Sequence, residues 1–212
     1  MHPQNASLSL LRRPNLSLPL PMPGLRKLVF LLATIAPLLS AGAMPDLPVT
    51  DHEGRTHSFY SDLVAGKTVI INFFYSECQN ICPAMTSNIK RLNSLLQQEG
   101  IQDVHIYSLS LDPARDSVEK LAEYHKLRAL TPNWKLLRAS YEDVEKIRQA
   151  TGFVDRDPAI DADRSQHSGM LRIGNDTVGR WIALAADGKP SIMIRAIRNI
   201  LPVTAATTTR AK

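Results

Sequence analysis

Read from residue 46 onward, the chain alternates between short apolar runs and stretches of helical period. "LPVTDHEGRTHSFYSDL" places turn chemistry at Glu53-Gly54 between two extended pieces, which predicts an N-terminal hairpin followed by a brief helical turn. "KTVIINFFY" is a continuous β-branched and aromatic run, the pattern of a strand buried on both faces. Ile89, Leu92, Leu95 and Leu96 then recur at helical spacing, and Gly100 closes that helix. "DVHIYSLSL" predicts a second strand ending at Asp112-Pro113, residues 116–127 an amphipathic helix, "WKLLRA" a short strand, and residues 141–150 another helix with Gly152 just past its end. A polar loop, "VDRDPAIDADRSQ", precedes two strands, "HSGMLRIG" and "VGRWIALA", joined by a turn at Gly174-Asn175-Asp176; a last helix runs from about residue 190 to 201.

The order β-α-β-α-β-α-β-β-α predicts an α/β fold with a central mixed sheet flanked by helices, its parallel crossovers first and an antiparallel hairpin last. The thioredoxin-like arrangement is the nearest match. A strand ending at Tyr75 delivers the chain's two cysteines, Cys78 and Cys82, to the C-terminal edge of the sheet, where α/β folds build their sites.

Residues 44–202 contain no linker, repeat or low-complexity segment and read as one domain; residues 203–212 lack apolar periodicity and read as a frayed tail. At 212 residues, 44% hydrophobic and 21% charged, the chain can bury a core without cross-links. The net charge of +5 does not point to nucleic acid. Four of the 25 basic residues (Arg12, Arg13, Arg26, Lys27) precede the first acidic one, Asp46, leaving 21 against 20.

Residues 1–43 read as an export leader: Arg26-Lys27, the apolar "LVFLLATIAPLL", then Ala41-Gly42-Ala43 as a small-residue cleavage site, so that the mature chain begins at Met44. The apolar stretch is short for a spanning helix and Pro37 interrupts it, which favours cleavage over an inner-membrane anchor. The expected location is periplasmic, with membrane contact only through an uncleaved leader. The proline-rich segment before it fits a translation start at Met22 or a disordered extension.

Pro83 is tolerated in a first helical turn, so the helix is expected to begin near residues 80–82 and its N-terminus to lower thiol pKa values. Three readings of Cys78 and Cys82 stand side by side. A structural disulfide is permitted by export, but a loop this small gives little entropic gain. A redox couple has one intervening residue more than the usual thioredoxin spacing. A metal site needs a further ligand.

Of the six histidines, His2 lies in the leader, His52 and His57 flank the hairpin turn and read as solvated, His105 alternates within a strand, and His125 falls on a charged helix face. His167 differs. If "HSGMLRIG" runs antiparallel to "KTVIINFFY", its beginning lies at the same sheet edge as the cysteines. Two thiolates and one imidazole make a soft, low-coordination site suited to Cu(I) and able to take Cu(II), with zinc a weaker candidate; Met85 and Met170 read as core packing. Asp112 ends a strand at this edge, and Asp116 reads as a helix cap.

Three motifs in order, "FFYSECQNICPAM", "SLSLDPARDS" and "QHSGMLRIG", resemble those of the Sco/SenC family across roughly residues 46–201. The insert "QNI" and the "DADRSQHSG" context depart from the family's commoner forms. The resemblance implies that Cys78, Cys82 and His167 bind copper. It also implies that the protein assists assembly of the copper centre in cytochrome c oxidase subunit II, or serves another copper-receiving protein, as metallochaperone, thiol reductant or both. Metal delivery is transfer and not turnover. The competing reading is a periplasmic thiol-disulfide oxidoreductase, which needs no His167; a peroxidase would need an arginine such as Arg164 or Arg172 at the thiol.

Overall fold

Seven consecutive buried residues, Thr68–Phe74, form β3 in the interior of the sheet. The computed structural model describes residues 44–163 and 169–201, so the proposed leader, the tail and His167 lie outside the described residues. The described elements are β1 (Pro48–Asp51), β2 (Thr56–Ser58), a helical turn (Phe59–Val64), β3 (Thr68–Phe74), α1 (Ile81–Gln98), β4 (Val104–Ser110), α2 (Val118–Leu127), β5 (Trp134–Arg138), α3 (Tyr141–Ala150), α4 (Pro158–Ala162), β6 (Met170–Asn175), β7 (Arg180–Ala185) and α5 (Pro190–Ile200).

The strands lie in the order β2-β1-β5-β4-β3-β6-β7. β3, β4 and β5 are parallel, with Phe73 opposite Leu109 and Ser108 opposite Leu136. β6 runs antiparallel to β3, with Ile71 opposite Arg172, and β7 antiparallel to β6. The expected N-terminal hairpin forms as β1–β2 and widens the sheet by pairing β1 with β5. Its turn closes on the buried Asp51 carboxylate, which accepts the Glu53 and Arg55 backbone N–H groups at 3.0 and 2.9 Å. Among the described residues no helix is long and apolar enough to cross a membrane.

Two apolar layers cover the sheet. On one face, Met85, Ile89, Leu92 and Leu96 of α1 pack with Leu121 of α2 and Ile194 and Ile197 of α5; Cys78 and Cys82 belong to this layer. On the other, Phe59 and Leu63 of the helical turn pack with Val144 and Ile147 of α3. Burying each such side chain stabilises the fold by roughly 1.5–3 kcal/mol. The spacing within α1 puts its apolar residues on one face, and Gly100, at φ 75°, ends it: its N–H bonds Gln97 O while Ile101 N–H bonds Leu96 O.

The structure departs from the sequence pattern in three places. The β6–β7 turn is Asp176–Gly179, because Gly174 and Asn175 continue the ladder opposite Trp181 and Arg180. The loop after α3 contains a short helix, α4, capped by the Asp157 carboxylate and clamped to α3 by two Arg148–Asp161 hydrogen bonds of 2.6 and 2.7 Å. Finally, the hairpin histidines are only partly exposed and are engaged by the protein. His57 Nε2 lies 2.8 Å from Asp51 Oδ2, and His52 stacks on His125 with ring centroids 4.0 Å apart, drawing His125 off the helix surface as well.

A Cβ on Gly174 would fall within the Trp181 ring. Gly174→Ala is therefore expected to cost about 1–3 kcal/mol of stability, and much less in a Trp181→Ala background. Urea unfolding of the four members of this cycle measures both numbers.

Candidate metal centre

The buried strand β3 stops at Phe74, and α1 does not begin until Ile81, so Tyr75–Asn80 must turn the chain at the C-terminal sheet edge. Cys78 sits in this turn, its N–H bonded to Tyr75 O at 3.2 Å, and Cys82 is the second residue of α1. Both thiols are reduced and buried, at 6% and 0% exposure. The Cys82 N–H points at Cys78 Sγ, 3.4 Å away, and the two thiols hydrogen-bond to each other. The expected start of α1 holds, and so does the placement of both sulfurs on one side.

The helix N-terminus acts on the two thiols unequally. Burial raises the pKa of Cys78, but hydrogen bonds from the Cys82 thiol, the Cys82 and Asn80 backbones and the Tyr75 hydroxyl outweigh it, leaving a net decrease. Cys82 is pushed up to about 12, first by burial and then by the neighbouring Cys78 sulfur. A lowered pKa for both was the expectation from helix position; Cys82 corrects it, because it is wholly enclosed. The first turn of α1 carries no acidic residue, so nothing there offsets its positive end.

Around the thiols the charges are paired. Glu77 receives Lys120 Nζ at 2.5 Å, and Asp112 receives Arg115 Nε at 2.7 Å. Asp116 is not a cap. Ser117 caps α2, accepting the Lys120 N–H, while Asp116 is 1% exposed and accepts the Ser76 hydroxyl and the Ser110 hydroxyl, each at 2.5 Å. Met85 is buried, as expected, with Asn72 Nδ2 3.8 Å from its sulfur. Arg172 alternates onto the sheet face opposite the cysteines and lies over the Trp181 ring, 5.8 Å from its centroid, which removes it from the peroxidase reading; Arg164 lies outside the described residues.

A cleft of about 730 Å³ opens beside the turn, walled by Tyr75, Pro113, Arg115, Arg138 and Tyr141. On the other side, Gly169 at the start of β6 lies against Ile81, the residue before Cys82, in a smaller cavity shared with Met85 and Met170. Among the described residues no three His, Cys, Asp or Glu side chains converge to hold a metal. Two touching sulfurs are themselves a soft donor pair. The sequence offered no sign of Tyr75 or Ser76 as partners of the site, since neither residue type is distinctive and the Ser76 contact joins residues 40 apart.

A mixed sheet with a reduced dithiol where a central strand meets a helix defines a thioredoxin-like thiol protein, able in principle to exchange disulfides or to hold a soft ion. The chain belongs to the SCO1/SenC family, whose model matches residues 43–201. A SCO1 protein homolog of Bacillus subtilis is 31% identical over 99 residues, which is 46% of this chain and 50% of that protein. The crystal structure of yeast Sco1 with copper bound matches with a TM-score of 0.59 at 21% identity, over 74% of this chain and 92% of that one. BsSco, a member of the Sco family of cytochrome c oxidase assembly proteins in which a disulfide switch was identified, matches with a TM-score of 0.61 at 21% identity, over 78% and 94%. The two structural matches establish the shared fold.

The unequal thiols predict unequal chemistry. Cys78 is expected to alkylate first with iodoacetamide, with a pH midpoint below the ordinary thiol value of about 8.5, and Cys82 to stay unreacted across neutral pH. Tyr75→Phe removes one donor and is expected to move the Cys78 midpoint upward. Site-resolved mass spectrometry against pH reads all three; equal rates at the two cysteines would contradict the assignment.

Proposed function

We propose that this chain is an exported copper-binding metallochaperone that uses Cys78, Cys82 and His167 to carry copper to cytochrome c oxidase, through subunit II, or to a related copper enzyme. The observation that carries this reading is the pair of reduced thiols in mutual hydrogen-bond contact at the sheet edge. Their softness fits Cu(I), and the yeast relative holds copper. His167 is supported by chain length. It stands two residues before Gly169, which packs against Ile81, and two residues span at most about 7 Å. Export rests on the leader pattern in residues 1–43.

In this reading copper is cargo. Cys78, the lower-pKa thiol, engages the ion first, and Cys82 gives up its proton as the second sulfur binds. Delivery is stepwise ligand exchange: a partner with soft ligands displaces the chain's own ligands one at a time, entering from the cleft side where Tyr75 meets Cys78.

A second reading is favoured by the same polarisation of the thiols and by the switch in BsSco. As an oxidoreductase, the Cys78 thiolate would attack a partner disulfide, releasing one partner thiolate and forming a mixed disulfide. Cys82 would then attack Cys78, releasing the second partner thiol and leaving a Cys78–Cys82 disulfide; the partner gains two electrons and the chain loses two.

The reduced domain from Met44 onward is expected to bind one equivalent of Cu(I). Cys78→Ser, Cys82→Ser and His167→Ala are each expected to weaken it strongly, as read by chelator competition and by thiolate-to-copper absorption with Cu(II). Retained copper affinity in all three variants would sink the metallochaperone reading. Thiol exchange that survives His167→Ala, without copper binding, would establish the oxidoreductase.

A further inference from the structure

Residues 75–80 form neither strand nor helix, yet they hold Cys78. What fixes them comes from the loop between β4 and α2. The Asp116 carboxylate, 1% exposed, accepts both donors of Ser76: its N–H at 3.2 Å to Oδ2 and its hydroxyl at 2.5 Å to Oδ1. Ser110, at the end of β4, donates its hydroxyl to Oδ2 at 2.5 Å and accepts the Asp112 N–H at 3.0 Å. The backbone of Asp116 is held in turn, its N–H on Asp112 O at 2.9 Å and its carbonyl on Arg138 Nε at 2.9 Å. Among the described residues no Lys or Arg makes an ion pair with this carboxylate; Lys120 interacts with it only through space, and its direct partners are the donors of Ser76 and Ser110.

We propose that Asp116 is a positioning residue for the thiol pair, holding Ser76 by two hydrogen bonds so that Cys78 meets the amides at the start of α1. A single bond would tether the turn and leave it free to rotate; two bonds from one residue to one carboxylate fix the orientation of the peptide that leads into Glu77 and Cys78. A buried carboxylate with no direct ion pair is costly, and one whose hydrogen bonds go to Ser76 and Ser110, two of them gripping the segment that carries Cys78, fits an outer-shell role. The consequence for metal rests on the copper reading above; the consequence for the turn does not.

The test compares Asp116→Ala, Asp116→Asn and Ser76→Ala with Asn175→Ala. Asn175 is equally buried but bonds Thr68 Oγ1 at the opposite end of β3. Two readouts are taken: Cu(I) affinity by chelator competition, and hydrogen exchange of the peptide spanning residues 75–82 relative to β4. Asp116→Ala and Ser76→Ala are expected to weaken Cu(I) by about ten- to a hundredfold and to lose exchange protection locally. Asp116→Asn, with its oxygen at the Oδ1 position, keeps an acceptor for the Ser76 hydroxyl and, at 3.4 Å, for the Ser76 N–H, and turns an amide toward Ser110 Oγ, and is expected to recover most of both; Asn175→Ala should change neither. Unchanged affinity and exchange in Asp116→Ala, or equal losses in Asn175→Ala, would overturn the proposal. Should Asp116→Ala not fold, Ser76→Ala carries the same decision. If the unaltered protein binds no copper, the metallochaperone reading fails by itself, and local exchange still decides the role of Asp116.

Discussion

Strand β3 has no exposed residue between Thr68 and Phe74, and that constraint governs everything around it. A strand enclosed on both faces and paired on both edges, to β4 and β6, cannot end gradually. The chain must leave the sheet at Phe74 and enter α1 within six residues, on the side where α1 can cover β3 with Met85, Ile89 and Leu92. The turn is short because both ends are committed, and it contains both Cys78 and the approach to Cys82. The site is a product of this handover. The hydrogen bonds of the ladder stop at Leu111 N–H to Phe74 O, and from there Asp116, Lys120 and Tyr75 take over the task of fixing the backbone.

The same geometry makes two identical side chains chemically different. Cys78 lies just ahead of the helix, so the Asn80 and Cys82 backbones donate to its sulfur. Cys82 lies within the first turn, facing the apolar layer, where burial and the neighbouring Cys78 sulfur outweigh the backbone hydrogen bonds from Tyr75 and Cys82. Four-residue spacing therefore gives one stabilised thiolate and one reluctant thiol. Neither the number of cysteines nor their spacing alone would make that assignment.

What was legible in the sequence follows from how local its cause is. The ends of α3 are set by Ser140 before it and Gly152 after it, and the start of α1 by Pro83, so short-range chemistry located them. β3 was legible because burial on both faces leaves an unbroken apolar run. The features that escaped notice are long-range ones. Ser117 and Asp116 are both good caps by residue type, and only the presence of Ser76 and Ser110, brought in by the β3–β4 pairing, decides that Asp116 turns inward and Ser117 caps. His52 read as solvated because its stacking partner, His125, is 73 residues away on α2. The α4 helix hid in a polar loop because it contains no buried residue, and it is held to α3 by Arg148 rather than by an apolar face.

The thiol pair also links the two chemistries open to this fold. In the reduced protein the sulfurs share hydrogen bonds, and the proton on Cys82 is held tightly because a second negative charge at that depth has nothing to balance it. Removing that proton requires something that takes its place between the sulfurs. A soft cation does so by supplying positive charge, and the proton is released as the second thiolate binds. A partner disulfide does so by accepting two electrons, after which a covalent bond joins the sulfurs and no thiolate remains for a metal. In either of the two proposed roles the chemistry would begin at Cys78, the sulfur with the slightly greater exposure and the lower pKa, and would end by consuming Cys82. On the metallochaperone reading, copper loading and disulfide formation would exclude each other on the same two atoms, so that the redox state of the pair would itself gate the metal.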